Sequence, residues 1–192
     1  MERLLLVIMA LGYFLLQMFW FFMDTRSMKE KIRFYVLLQG NFSLRIVAFG
    51  LAVFVLMKFI SPEWLFSIQV NSILLRGILS FGGLLLYLTG LIICVWARLT
   101  MGSVWTPAEE TSIRHKKELI TQGPFSFTRN PIYLGLIMIY LGFFIALKSY
   151  LVIVVLFIGW FFYKKSIEEE RILEKDFGSD YLKYKSKVRR FM

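Results

Sequence analysis

The chain has 192 residues, of which 58% are hydrophobic and 18% aromatic, and it carries a formal net charge of +10. The apolar share exceeds that of ordinary globular domains and, with a mean hydropathy of +0.64, excludes a typical soluble domain. The single cysteine, Cys94, excludes an intrachain disulfide and is interpreted as a small packing residue.

Apolar stretches of near-spanning length recur along the chain. About 20 apolar helical residues cross a hydrocarbon core of about 30 Å. The first three stretches meet this length, the fourth is marginal, and the fifth is short unless Lys164 and Lys165 snorkel to the interface. We therefore predict an all-α integral membrane protein with about five transmembrane helices, the last two forming a helical hairpin or, alternatively, a buried pair that barely spans. The predicted spans are 4–22, 44–60, 73–96, 131–147 and 150–163.

The basic residues are distributed unevenly between the two sides that this arrangement defines. Nineteen of the 23 lysines and arginines fall on one side and four on the other, which is a positive-inside pattern. It predicts an outside N-terminus and a cytoplasmic C-terminus. Topology and attraction to anionic membrane lipids explain the net charge, and no nucleic-acid-binding motif accompanies it.

Small residues recur on one face of each of two predicted helices. Residues of this size let helix backbones approach closely in lipid, so we interpret both faces as packing surfaces. They are Gly83, Gly90 and Ala97 in the third predicted helix and Gly135, Gly142 and Ala146 in the fourth.

The polar stretch before the fourth predicted helix contains a candidate anion site. Gly123-Pro124 predicts a turn, and Pro131 is suited to the first turn of a helix because its missing N–H has no partner to lose there. Arg129 is therefore expected at the helix entrance, near free backbone N–H groups that favour a carboxylate. The alternative is that Arg129 anchors the helix to lipid phosphate.

A second polar cluster, Glu168-Glu169-Glu170, follows the fifth predicted helix. Three carboxylates beside an anionic membrane surface require cations, which neighbouring basic residues supply in one interpretation. In the other, one carboxylate points inward and binds a cationic ligand. Beyond the cluster, apolar residues at helical spacing predict an amphipathic helix, interrupted at Gly178, on the membrane or over the site.

Together these segments resemble the isoprenylcysteine carboxyl methyltransferase and phospholipid methyltransferase superfamily, over roughly residues 98–190. The matching elements are Gly123-Pro124, Arg129-Asn130-Pro131-x-Tyr133, Glu168-Glu169, and Phe177-Gly178-x-x-Tyr181-x-x-Tyr184 with Val188. The resemblance implies a cytoplasmic pocket for S-adenosylmethionine, with S-adenosylhomocysteine as product, and a lipophilic acceptor that enters from the bilayer. We accordingly divide the chain into three N-terminal transmembrane helices (1–96) and a catalytic region (97–192).

The resemblance also implies roles for individual residues. Arg129 and Lys165 are the expected catalytic residues, and Lys165 falls where carboxyl methyltransferases have a substrate-binding arginine. Asn130 replaces a more common histidine, and His115 is displaced by two residues from the family's histidine. The expected cofactor-binding residues are Leu119, Ile120, Gly123, Phe125, Arg129, Asn130, Pro131, Tyr133, Glu168 and Glu169, with Glu169 aligning best with the cofactor-holding glutamate.

The residues and the resemblance predict a membrane methyltransferase that needs no metal. An isoprenylcysteine-like carboxylate is the favoured acceptor, because it is ionised at neutral pH and requires no general base. The alternatives are a phospholipid or another lipid amine or thiol as acceptor, an NADPH-dependent sterol-type reductase, and a non-catalytic membrane scaffold or transporter.

Overall fold

The computed structural model describes residues 2–23, 60, 67–102 and 118–191. Four α-helices account for most of these residues: α1 (Glu2–Met23), α2 (Ile73–Met101), α3 (Pro131–Ala146) and α4 (Val154–Lys187). Short 3₁₀ turns at Gly123–Ser126 and Tyr150–Ile153 precede α3 and α4, respectively. Within the described ranges the remaining regular pairing is an isolated antiparallel bridge between Ser67 and Ser149.

Three of the described helical segments are long and apolar enough to cross a membrane, namely Arg3–Met23, Ile73–Met101 and Tyr150–Lys187. This confirms an integral membrane protein with long apolar helices at the first and third predicted spans. Helix α3 is apolar but has only 16 residues. The predicted span at 44–60 lies outside the described residues except for residue 60.

Helices α2 and α3 pack closely through the small residues that the sequence predicted. A methyl group at Gly90 would lie 2.6 Å from the carbonyl oxygen of Gly135, and one at Gly142 would lie 2.5 Å from the carbonyl oxygen of Gly83. The order of these contacts makes the two helices antiparallel. The prediction of close-packing faces is confirmed, and the structure adds that the two faces contact each other.

Helix α1 runs parallel to α2 and contacts both α2 and α3. The hydroxyl of Tyr87 donates to the carbonyl oxygen of Met9 at 2.5 Å, and Arg98 Nη2 donates to that of Met23 at 2.6 Å. The hydroxyls of Tyr13 and Tyr140 lie 3.0 Å apart and link α1 to α3. None of the large hydrophobic side chains of α3 is exposed, whereas α1, α2 and α4 each expose many. Helix α3 is therefore the core of the bundle, and it is apolar on all sides for that reason.

Helix α4 continues far beyond the predicted end of its apolar part at Tyr163. The following residues are mostly good helix formers, and Lys165 and Glu168 pair one turn apart along the helix. At Gly178 the backbone leaves helical geometry, with φ 50° and ψ −120°. The predicted amphipathic helix is thus present as the last part of α4, and its predicted interruption at Gly178 is confirmed, with Tyr181 and Tyr184 buried beyond the kink.

Candidate functional site

The turn before α3 is fixed against the end of α2. Gly123 has φ 61°, and a methyl group there would lie 2.9 Å from Thr100 Oγ1. A residue with a side chain would therefore meet both an unfavourable backbone conformation and a steric contact. The rings of Trp96 and Phe127 lie 5.7 Å apart and provide a second contact between the two segments.

A carboxylate held by two arginines lies behind this turn. Glu170, which is only 3% exposed, accepts bonds from Arg129 Nη2 at 3.1 Å to both oxygens. Arg190 donates to the same carboxylate through Nε at 2.7 Å and Nη2 at 3.1 Å. Burial opposes ionisation of Glu170, but the hydrogen bonds and charges of Arg190 and Arg129 outweigh it and lower its pKa below the ordinary value. Glu170 is therefore a buried anion neutralised by the chain's own cations.

The segment 188–191 lies across the loop that leads into α3. The backbone N–H of Arg129 donates to the carbonyl oxygen of Arg189 at 2.9 Å. Thr128 Oγ1 and Asn130 Nδ2 donate to the carbonyl oxygen of Arg190 at 3.0 and 3.1 Å, respectively. The loop and this segment are thus joined by backbone and side-chain bonds around the Glu170 cluster.

Arg129 makes two further contacts with the same part of the chain. Its Nη1 donates to the carbonyl oxygens of Lys185 at 3.0 Å and Val188 at 2.8 Å. The guanidinium therefore caps the last turn of α4 while it pairs with Glu170. Its expected contact with a ligand carboxylate stays a prediction.

Tyr133, Glu169 and Phe162 form a second group beside the cluster. The hydroxyl of Tyr133 donates to Glu169 Oε1 at 2.5 Å, and its ring stacks on Phe162 with centroids 4.9 Å apart. Within the described part of the chain, Glu169 forms no ion pair. This group combines a carboxylate that lacks a protein cation with an aromatic surface, an arrangement that suits a cationic ligand.

The three adjacent glutamates point in different directions. Successive residues of a helix are about 100° apart, because 3.6 residues make one turn. Glu169 consequently contacts α3 and Glu170 lies buried between the arginines, whereas Glu168 is 61% exposed and pairs with Lys165 at 3.1 Å. The inward carboxylate of the cluster is Glu170, and the cations that it binds belong to the protein.

The part of the chain that contains these helices matches a known protein family. The family model for phospholipid methyltransferase matches residues 78–180. The chain belongs to this family. The matched region contains most of α2, the turn before α3, α3 itself and the Glu168–Glu170 cluster. The superfamily assignment made from the sequence is therefore confirmed.

Two proteins of known activity are similar to this chain. Over 112 residues, which make up 57% of this chain, the chain is 34% identical to a Xenopus laevis protein-S-isoprenylcysteine O-methyltransferase. The match covers 39% of that protein. The solved structure of a eukaryotic intramembrane Ras methyltransferase, an isoprenylcysteine carboxyl methyltransferase, matches with a TM-score of 0.58 and 25% identity. That match covers 77% of this chain and 52% of the other. The chain thus spans about two-fifths and one-half of the lengths of these two proteins.

In this chain, the structure brings some of the predicted site residues together and separates others. Arg129, Asn130 and Pro131 lie at the entrance of α3, and Tyr133 joins this entrance to Glu169. Phe125 contributes its carbonyl oxygen to a 2.7 Å bond from the Tyr184 hydroxyl. Leu119 and Ile120 are half-buried ahead of the turn at Gly123. On α4, the half-buried Lys165 pairs with the exposed Glu168. His115 lies outside the described residues.

Sequence reasoning missed the roles of Thr128, Glu170 and Arg190. Glu170 belonged to a cluster from which one inward carboxylate was expected, but its identity depends on the rotation of α4 about its axis. Arg190 lies 20 residues from Glu170 in sequence, and no helical spacing relates the two. The sequence does show an arginine near the end of each polar stretch, Arg129 and Arg190, but it does not show that both pair with Glu170.

Proposed function

We propose that this membrane protein transfers a methyl group from S-adenosylmethionine to a lipophilic acceptor, most favourably an isoprenylcysteine-like carboxylate. The catalytic region is 97–192, and its cofactor pocket lies on the cytoplasmic side. Support comes from membership of the phospholipid methyltransferase family and from the two methyltransferases that resemble the chain. Each of those relatives is longer than this chain, so the activity is inferred for this chain from its own residues as well.

The observation that carries the proposal is the group formed by Tyr133, Glu169 and Phe162. S-adenosylmethionine has a sulfonium and an ammonium, and its binding site therefore needs a carboxylate that the protein has not already neutralised. Glu170 is neutralised by two arginines, and Glu168 is paired with Lys165 at the surface. Glu169 is the member of the cluster that remains, and Tyr133 fixes its orientation through a 2.5 Å hydrogen bond. The residues present thus fit the cofactor.

The protein's contribution to such a reaction is orientation and the exclusion of water. When bound, S-adenosylmethionine supplies an electrophilic methyl group. Glu169 would hold the positively charged part of the cofactor, and the stacked rings of Tyr133 and Phe162 would form an apolar wall beside it. Correct placement of the reacting atoms removes much of the entropic barrier, and an ionised acceptor needs no proton removed.

Lys165 is the residue that we assign to the acceptor. It is on α4, one turn before Glu169, and its ammonium pairs with an exposed carboxylate that an acceptor carboxylate could replace. An exchange of one carboxylate for another conserves the charge balance around Lys165. This assignment favours an acidic acceptor over a lipid amine.

Calorimetric titration of the detergent-purified protein with S-adenosylhomocysteine, with NADPH in parallel, tests the proposal. Saturable binding of S-adenosylhomocysteine alone is expected. Glu169→Gln should weaken this binding by about ten- to a hundredfold, which corresponds to about 1.4–2.8 kcal/mol and is typical of a lost hydrogen bond to a charged group. Asp180→Asn is the matched control, because Asp180 is on the same helix and 75% exposed. Binding of NADPH alone would favour the reductase.

A second comparison separates the cofactor from the acceptor. Lys165→Ala should raise the apparent Michaelis constant of an isoprenylcysteine-like acceptor and leave binding of S-adenosylhomocysteine unchanged. Lys164→Ala is the control, because Lys164 is adjacent, exposed and placed over the Trp160 ring at 5.8 Å. Loss of cofactor binding in folded Lys165→Ala would contradict this division of roles.

A further inference from the structure

We propose that Glu170 is a positioning residue for the site, which acts by clamping the segment 188–191 across the loop that enters α3. The inference rests on the proposed function, since the site that it positions is the methyltransferase site. Among the described residues, the ion-pair partners of the Glu170 carboxylate are Arg129 and Arg190. Its effect on a ligand would therefore be transmitted through these arginines.

The clamp joins three parts of the chain that are distant in sequence. Arg129 belongs to the loop before α3, Glu170 to the middle of α4, and Arg190 to the segment beyond α4. Each arginine makes two hydrogen bonds to the carboxylate, so the geometry of both guanidiniums is fixed. Removal of the central charge would leave two cations facing each other in a partly buried place.

In the other hydrogen bonds that hold segment 188–191, the acceptors are backbone carbonyl oxygens of the segment. These bonds come from Arg129, Thr128 and Asn130 and end on Val188, Arg189 and Arg190. Three of these bonds are neutral, because their donors are the Arg129 backbone N–H, Thr128 and Asn130, and a neutral hydrogen bond has a modest net strength. The charged attachments are the guanidiniums of Arg129, which donates to Val188, and of Arg190, and both guanidiniums pair with Glu170.

The clamp also sets the position of the residues proposed to bind the cofactor. Asn130, which donates to the clamped segment, immediately precedes α3, and Tyr133 lies in the first turn of α3. Glu169 is adjacent to Glu170, so the rotation of α4 that buries Glu170 also directs Glu169 towards Tyr133. Loss of the clamp should thus disturb cofactor binding, although Glu170 itself touches no proposed ligand.

The test combines hydrogen–deuterium exchange with titration of S-adenosylhomocysteine on the full chain. In Glu170→Gln, amide exchange should rise within 128–133 and 185–191 and remain unchanged in α2. The dissociation constant of S-adenosylhomocysteine should rise by about tenfold or more. Glu170→Asp, which retains the charge, should recover part of both changes, and Asp180→Asn should alter neither.

A second, milder variant keeps the test informative if Glu170→Gln does not fold. Arg190→Lys keeps the positive charge but not the two-bond geometry, and the side chain of Arg190 is 25% exposed. It should produce the same local pattern to a smaller extent. If exchange rises in both variants without any change in affinity, the segment is not part of the site and the positioning role is wrong.

Unchanged exchange in folded Glu170→Gln would overturn the clamp itself. A different result identifies failure of the proposed function. If the wild-type protein is folded and shows the expected protection at 128–133 but binds no S-adenosylhomocysteine, the methyltransferase assignment fails and the positioning role fails with it. The exchange difference between wild type and Glu170→Gln still decides whether the clamp exists.

Discussion

Two adjacent glycines of α2 should respond in opposite directions to the same substitution. Gly83 is buried against α3, where an added methyl group would lie 2.7 Å from the carbonyl oxygen of Gly142 and 2.8 Å from the Cα of Ala146. Gly82 is exposed, and a methyl group there would meet nothing within 4 Å. Gly83→Ala should therefore destabilise the helix pair, and Gly82→Ala should stabilise α2.

The magnitude follows from two effects. Alanine is favoured over glycine in a helix interior by about 0.8–1.0 kcal/mol, and this preference is common to both variants. Overpacking adds about 1–3 kcal/mol at Gly83, because the obstructing atoms belong to the backbone of α3 and cannot rotate away. The difference between the variants should therefore be about 1–3 kcal/mol, with Gly82→Ala the more stable. For a chain of this size, 1 kcal/mol corresponds to about 2–4 °C in melting temperature.

Cys94 provides the assay. It is the single cysteine of the chain and is buried, so a thiol-reactive fluorogenic dye reports unfolding in detergent at neutral pH. Since both variants keep Cys94, their melting temperatures can be compared directly with that of the wild type. Equal melting temperatures for the two variants, or a higher one for Gly83→Ala, would refute the close approach of α2 and α3.

The polar residues beyond the apolar part of α4 give further predictions. Tyr181→Phe should be neutral or stabilising by about 1 kcal/mol, because the buried Tyr181 hydroxyl has no hydrogen-bond partner among the described residues. Tyr184→Phe should instead destabilise by about 0.5–1.5 kcal/mol, because it removes the bond to Phe125, and thermal unfolding of the two variants checks this contrast. The ion pairs of Glu170 lower its pKa in the folded state, so their stabilising effect is present above the unfolded pKa of about 4.3 and is lost as the pH falls through the lower, folded value. Tryptophan-fluorescence melts should show a smaller acid-induced loss for Glu170→Gln than for wild type, and an equal loss would contradict this linkage.

The apolar helices could be read from the sequence because lipid exposure and core burial both select hydrophobic residues. The predicted spans 4–22 and 73–96 agree with α1 and α2 within a few residues, and Pro131 begins α3 as expected. Hydropathy alone does not locate the end of α4. Hydropathy falls after Tyr163, but the residues there continue to favour a helix, so the element extends to Lys187.

The site was predictable in composition but not in pairing. Arg129, Tyr133 and Glu169 could be selected as a group from their order along the chain, whereas the partners of each charge depend on helix rotation. A difference of one position decides whether a carboxylate contacts Tyr133 or is buried between Arg129 and Arg190. The choice between the two carboxylates requires the relative placement of α3 and α4. Gly83 and Gly82, in contrast, are distinguished by the sequence, because Gly83 shares its seven-residue spacing with Gly90 and Ala97.

The length of α3 sets the depth of the proposed reaction. At 1.5 Å per residue, its 16 residues span about 24 Å, which is less than the hydrocarbon thickness of about 30 Å. Lys148 closes one end by donating from Nζ to the Ala146 carbonyl oxygen and the Ser80 hydroxyl, and Tyr133 and Glu169 lie at the other. Either the bilayer thins around the bundle or the polar ends of α3 lie below the headgroups, enclosed by the longer helices. In both cases the lipid-attached acceptor of the proposed reaction would reach Glu169 and Tyr133 while its lipid chain stayed in the membrane.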